Sequence, residues 1–230
     1  MAFFPGPRGR LAERSWLVVG LGNPGPRYAA TWHNCGWLAL DLIAARHGIR
    51  VGKARFHGAW GQGDTADGRL ILLKPETYMN ESGRSVAAAL NWFKLPPEHL
   101  IVLYDDVDIA RGQVRIRQQG GPGSHRGMQS VTRELGTGAF PRIRIGIGPQ
   151  PGNRDIVAFV LEAIPAELRP LMRGAFETAA DAVDLILKHS VDLAMNRINV
   201  RRPAAEESPA AEESPAAESP AADAETSDAG

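Results

Sequence analysis

Apolar and polar positions follow two rhythms along the chain. Trp16-Leu-Val-Val-Gly20 is a short apolar run closed by glycine, the pattern of a buried strand. From Asn34 to His47 the apolar residues recur at helical spacing, and Gly48 sits where a left-handed cap is favoured. Two strand-like stretches, Arg55 to Gln62 and Leu70 to Lys74, bracket a polar turn and predict a hairpin. Ser82 to Phe93 reads as a helix stopped by Pro96-Pro97. Leu100 to Tyr104 is a second continuous apolar strand, followed by Asp105-Asp-Val-Asp108. Val114 to Arg117 alternates, so one face is expected in solvent. Met128 to Leu135 predicts a helix, Ile143 to Ile147 a strand, Glu167 to His189 a long amphipathic helix and Val191 to Asn199 one more.

Strands alternating with helices predict an α/β fold: a single domain over residues 16–200, with a twisted, mixed, partly parallel sheet and helices on both faces. Ligands of such folds gather outside the carboxyl ends of the strands. Attention therefore goes to Asn23 after the first strand, to Lys74 through Asn80 after the hairpin, and to Asp105 through Asp108.

Composition adds two flanking segments. Residues 1–15 carry three arginines and one acid without a long apolar stretch, which predicts a flexible leader rather than a secretion signal. Residues 201–230 repeat Ala-Ala-Glu-Glu-Ser-Pro without aromatic or large aliphatic residues, and so predict a disordered acidic tail. The formal net charge of zero hides an asymmetry. From Pro203 onward there are eight acids and no base, which leaves 26 bases against 18 acids in the body. A basic body suits a polyanionic partner. The single cysteine, Cys35, excludes an internal disulfide and suits a reducing cytoplasm. No apolar run is long enough to span a bilayer.

Gly20-Leu-Gly-Asn-Pro-Gly25 is a literal dinucleotide-binding fingerprint. That reading requires a helix to start in the loop and an acid about 20 residues on, at the end of a second strand. Pro24 and Pro26 would break the first helical turns, and Ile49 to Lys53 holds no acid. The loop is better read as a tight turn that projects Asn23, so no nucleotide cofactor is expected.

Four loops carry the remaining chemistry: Asn23 with Tyr28 and Thr31-Trp-His33-Asn34; Lys74-Pro-Glu-Thr-Tyr-Met-Asn80; Asp105-Asp-Val-Asp108; and Gly120-Gly-Pro-Gly-Ser-His125-Arg-Gly127. Histidine titrates near neutral pH and can take a proton from water. A carboxylate on its other nitrogen fixes the tautomer and stabilises the imidazolium, and Asp105 is the candidate. Amide donors such as Asn80 can stabilise an oxyanion. Asn23 can orient the water or a peptide backbone. No Gly-x-Ser-x-Gly elbow is present. Cys35 would point about 200° from His33 on a helix, which argues against a cysteine nucleophile. The three aspartates alone lack the His or Cys partners of a metal site.

Taken in order, and followed by Arg144-Ile-Gly-Ile-Gly148, these loops closely resemble the bacterial peptidyl-tRNA hydrolase family, over about Trp16 to Asn199. The resemblance implies a monomeric α/β esterase that frees tRNA from peptide, and the cysteine usage above places it in the cytoplasm. It implies His33 as the essential base and Asp105, Asn23 and Asn80 as its companions. Tyr28, Tyr78, Arg117, His125, Arg126 and Arg144 are the expected substrate or tRNA contacts. Arg126 stands where the family pattern has asparagine, and a guanidinium there could hold a phosphate bidentately. Seven arginines and one acid lie between Arg111 and Arg144, and Arg115 and Arg117 share a strand face. The competing expectation, a noncatalytic RNA-binding relative, requires loss of the His–Asp–Asn set, which is complete here.

Overall fold

The computed structural model describes residues 15–150, 152 and 155–200. The expectations for the leader and the acidic tail therefore fall outside the described residues, except that Ser15 already opens the first strand.

Seven strands form one sheet in the order β2-β3-β4-β1-β5-β7-β6. They are β1 (Ser15–Gly20), β2 (Lys53–Arg55), β3 (Gly58–Thr65), β4 (Gly68–Pro75), β5 (Leu100–Ala110), β6 (Val114–Arg117) and β7 (Arg142–Gly148). The four central strands β4, β1, β5 and β7 run parallel, and β2, β3 and β6 add antiparallel edges. Among the described residues there are six α-helices: α1 (Cys35–Arg46), α2 (Ser82–Phe93), α3 (Arg126–Leu135), α4 (Ile156–Val160), α5 (Arg169–Lys188) and α6 (Val191–Ile198).

The central strands read as continuous apolar runs because both faces are covered. Alternate residues go to different cores. Val18, Ile101 and Leu103 join α1 and α5 on one face. Leu17, Val19, Leu100 and Val102 join α2 and α3 on the other. The mixed sheet with helices on both sides is the expected architecture. Two details differ from it. β5 does not stop before the aspartates: it continues to Ala110 beside β7, with a register irregularity between Asp106 and Ala110. The short helix α4 was not expected. It is a single turn, started by Asp155, whose Oδ2 accepts the Ala158 N–H at 3.2 Å.

The glycine loop after β1 packs against α1. A side chain on Gly22 would meet the Trp37 ring at 2.6 Å, and one on Gly20 would collide with the Gly36 carbonyl. Gly36 in turn sits against the backbone of Leu21 and Leu103. The missing Cβ atoms make room for the helix, and no helix starts inside the loop to face a pyrophosphate.

Candidate active site

The carboxyl ends of β1, β4 and β5 meet the start of α3 around a cavity of about 580 Å³. Nine of the ten site residues singled out in the sequence line it: Asn23, His33, Tyr78, Asn80, Asp105, Arg117, His125, Arg126 and Arg144. Tyr28 does not. It sits on the short 3-10 turn Pro26–Tyr28, with the Arg27 guanidinium 4.5 Å from its ring centre.

At the centre is Asp105, 2% exposed on β5. His33 comes from the 3-10 turn Trp32–Asn34 that leads into α1. Its Nδ1 lies 3.0 and 2.9 Å from the two oxygens of Asp105. The three aspartates differ in their partners. Asp106, which also lines the cavity, takes the Arg144 guanidinium at 2.7 Å, while exposed Asp108 donates its backbone N–H to Asp106 at 3.0 Å. With Nδ1 on the carboxylate, His33 has Nε2 left, and this nitrogen has no hydrogen bond among the described residues.

A second imidazole shares the same carboxylate. His125 places Nε2 3.1 Å from Asp105 Oδ1, and the two rings stand 4.8 Å apart. His125 also caps α3, since its Nδ1 accepts the Met128 N–H at 3.2 Å. A ring that accepts at Nδ1 carries its proton on Nε2 when neutral, so His125 donates to Asp105. Burial pushes the Asp105 carboxyl upward, but His33 and His125 outweigh burial and hold it below the usual carboxylate range. It stays an anion with two N–H donors.

His33, Asp105 and His125 offer ligand atoms within 4.8 Å of one another, which raises the question of a metal. A histidine ligand uses a lone pair on the metal side and donates from its other nitrogen. In His125 the other nitrogen already accepts a backbone N–H, and the proton occupies the side facing Asp105. The donor set fits a shared proton network better than an ion.

Asn23 is fixed from three sides. Its Oδ1 accepts the Met79 N–H at 2.9 Å, so its Nδ2 is the donor left for the cavity. Its backbone exchanges a pair of hydrogen bonds with the Asn34 side chain, at 2.9 and 3.1 Å. Asn80 is exposed at the cavity rim, on the 3-10 turn Met79–Glu81. Buried Tyr104 packs edge-on to His125 at 5.0 Å, and burial together with Asp106 pushes its phenol up to about 12. It forms a neutral wall. Cys35 is fully buried beneath the site; burial first, and then Asp105, drive its thiol upward, which makes it a poor nucleophile.

The arginines divide. Arg142 is 2% exposed, and its two terminal nitrogens hold the carbonyls of Gly121 and Gly138 at 2.9 and 2.8 Å. It clamps the glycine-rich loop and is not available as a phosphate contact. Arg111 holds the carbonyls of Ile147 and Pro149, and Arg115 folds back onto Gln113 and its own strand. Arg117 and Arg126 line the cavity from exposed positions.

Residues 17–207 match the model of the peptidyl-tRNA hydrolase family. The chain belongs to that family. It is 46% identical over 184 residues to a peptidyl-tRNA hydrolase of Synechococcus sp. strain JA-3-3Ab, covering 80% of this chain and 82% of the relative. It is 46% identical over 187 residues to one of Symbiobacterium thermophilum, covering 80% and 98%. Among solved structures, the peptidyl-tRNA hydrolase of Acinetobacter baumannii superposes with a TM-score of 0.78 at 36% identity, covering 83% of this chain and 97% of that one.

Sequence reasoning missed three things in this site. Asn34 had no role, although its position directly after His33 was a usable signal. His125, expected as a substrate contact, lines the cavity, and its bond to Asp105 is the part the sequence did not show. The side chains of α4 that line the cavity, Ile156, Val157 and Val160, were not foreseen.

Proposed function

We propose that this member of the family hydrolyses the ester between a peptide and the 3′ ribose of tRNA with a histidine-activated water. The observation that carries the reading is His33 held by Asp105 through Nδ1, with Nε2 left over on the cavity side. Nε2 takes a proton from water as the oxygen attacks the ester carbonyl. Asp105, kept ionised, stabilises the imidazolium that forms. The carbonyl oxygen becomes an oxyanion, and the Asn80 amide and the free Asn23 Nδ2 are the donors aimed at the reacting carbonyl. Collapse expels the ribose oxygen, which regains a proton from His33. Product is free tRNA and a peptide carboxylate.

Arg117 and Arg126 meet phosphates of the tRNA acceptor end, with Arg144 braced beside them by Asp106. Tyr78, 62% exposed at the rim, is an open stacking surface for the substrate. No helix among the described residues is long and apolar enough to cross a membrane. The protein acts as a monomer, as the sequence resemblance implies, and in the cytoplasm, which its single cysteine suits.

Hydrolysis of an N-blocked aminoacyl-tRNA tests the base. His33→Ala is expected to lower kcat by about 10²- to 10⁴-fold, the range that general base catalysis supplies. Wild-type turnover by that variant would remove His33 from the role.

A further inference from the structure

The cavity holds three aspartates among its arginines, and two of them are taken. Asp105 is shared by His33 and His125, and Asp106 holds Arg144 at 2.7 Å. Arg142 is committed to carbonyls at Gly121 and Gly138. That leaves Arg117 and Arg126 against the exposed Asp108. Among the described residues no carboxylate pairs with either guanidinium. Two exposed cations on one cavity attract any polyanion within reach, and the chain itself carries one.

The described residues stop at Val200, beside these arginines. Asn199 is tied to β6: its Oδ1 accepts the Ile116 N–H at 2.7 Å, and its Nδ2 donates to the Ile116 carbonyl at 3.1 Å. The next residue of β6 is Arg117. The Asn199 amide covers the outer edge of that strand and fixes where the chain leaves the domain. From Pro203 onward the sequence has eight acids and no base. An extended chain covers at most about 3.5 Å per residue, so Glu206 and Glu207 stay within about 25 Å of Val200. Glu212 and Glu213 have about twice that reach, enough to cross the cavity from Arg117 to Arg126.

Resting on the reading that Arg117 and Arg126 meet tRNA phosphates, we infer that the acidic segment 203–230 is a tethered competitor for these two arginines, which RNA must displace in order to bind. A guanidinium holds carboxylate and phosphate with the same fork of donors. A short tether sets an effective concentration in the millimolar range, so a local dissociation constant of about 0.1 mM covers the arginines about nine-tenths of the time. RNA then loses roughly tenfold in apparent affinity. The factor is the same for every RNA. Weak binding through phosphates alone is therefore lost first, while a substrate that also engages the His33 centre keeps contacts with which to displace the segment.

The test compares the full chain with a variant in which all eight acids from Glu206 to Asp228 are changed to their amides. The probe is uncharged tRNA, with binding measured at low and at high salt. The amide variant is expected to bind roughly tenfold tighter at low salt, and the gap is expected to close as salt screens the contact. The same change is then made together with Arg117→Ala and Arg126→Ala, where it is expected to move the affinity less than twofold. A tenfold gain that persists without the two arginines would mean that the segment acts through overall charge, and the proposal falls. It falls also if the amide variant binds no tighter than wild type. If the amide variant binds tRNA equally well with and without the arginines, the phosphate reading and the proposal fall together. Turnover of an N-blocked aminoacyl-tRNA keeps the hydrolase reading apart. At saturating substrate the amide variant is expected to match the wild-type kcat, which also reports its fold. A wild type that shows the competition but leaves the ester intact removes the hydrolase reading and leaves the competitor standing.

Discussion

Two histidines meet one carboxylate in this protein, and their difference lies in the nitrogen that does not touch it. His33 offers Nδ1 to Asp105 and retains Nε2 for the cavity. His125 offers Nε2 and commits Nδ1 to the Met128 N–H at the head of α3. The rings are of the same type, tilted against each other at 4.8 Å. Only one has a nitrogen with which to move a proton to or from a ligand. Proximity to a shared carboxylate therefore does not by itself make a base. The fate of the second nitrogen decides it, and here a helix cap removes one candidate.

Asp105→Asn should have the largest effect on this pair. The amide keeps the shape but removes the charge that stabilises an imidazolium, and kcat is expected to fall by about 10²-fold or more. Steady-state kinetics on an N-blocked aminoacyl-tRNA measures it, and a variant within twofold of wild type would show that the carboxylate only positions the ring. His125→Ala should cost less. It removes one hydrogen bond to a charged group, worth about 1.5 kcal/mol, or about tenfold in kcat with KM held. A rise in KM with kcat unchanged would return His125 to substrate contact and dissolve the contrast between the two rings.

The smallest effect concerns stability. The folded-state value of Asp105 is depressed, so its ionisation favours folding above the carboxyl's unfolded value of about 4, and that contribution is lost as the pH falls below it. The difference in melting temperature between wild type and Asp105→Asn is expected to shrink on acidification from about pH 5 to about pH 3. A gap that widens over that interval would mean that the two imidazoles do not hold the carboxylate down.

Much of this was readable from residue types. The apolar runs at Trp16–Gly20 and Leu100–Tyr104 gave the central strands because burial on both faces leaves no polar alternation. His33 with Asp105 followed from the order of the loops, and no α-helix begins inside the glycine loop, as its prolines suggested. Other features depend on distance in the fold. The tautomer of His125 depends on where α3 begins, three residues before Met128 can donate. Arg142 looked like its neighbours in a basic stretch, but its β7 position buries it under the loop it clamps. Asp105 through Asp108 looked like a loop because charge interrupted the apolar run; pairing with β7 carries the strand through it. Helix α4 was invisible because five residues are too few to show a helical period.

Asn23 has a consequence for the chemical durability of the enzyme. An asparagine ages into aspartate when the backbone nitrogen of the next residue attacks its side-chain amide and closes a five-membered imide. The next residue is Pro24, whose nitrogen carries no hydrogen to lose and cannot complete that ring. The residue whose amide is fixed by Met79 is thus shielded from slow conversion to an acid, which would set a new negative charge in the cavity that His33 and Asp105 line.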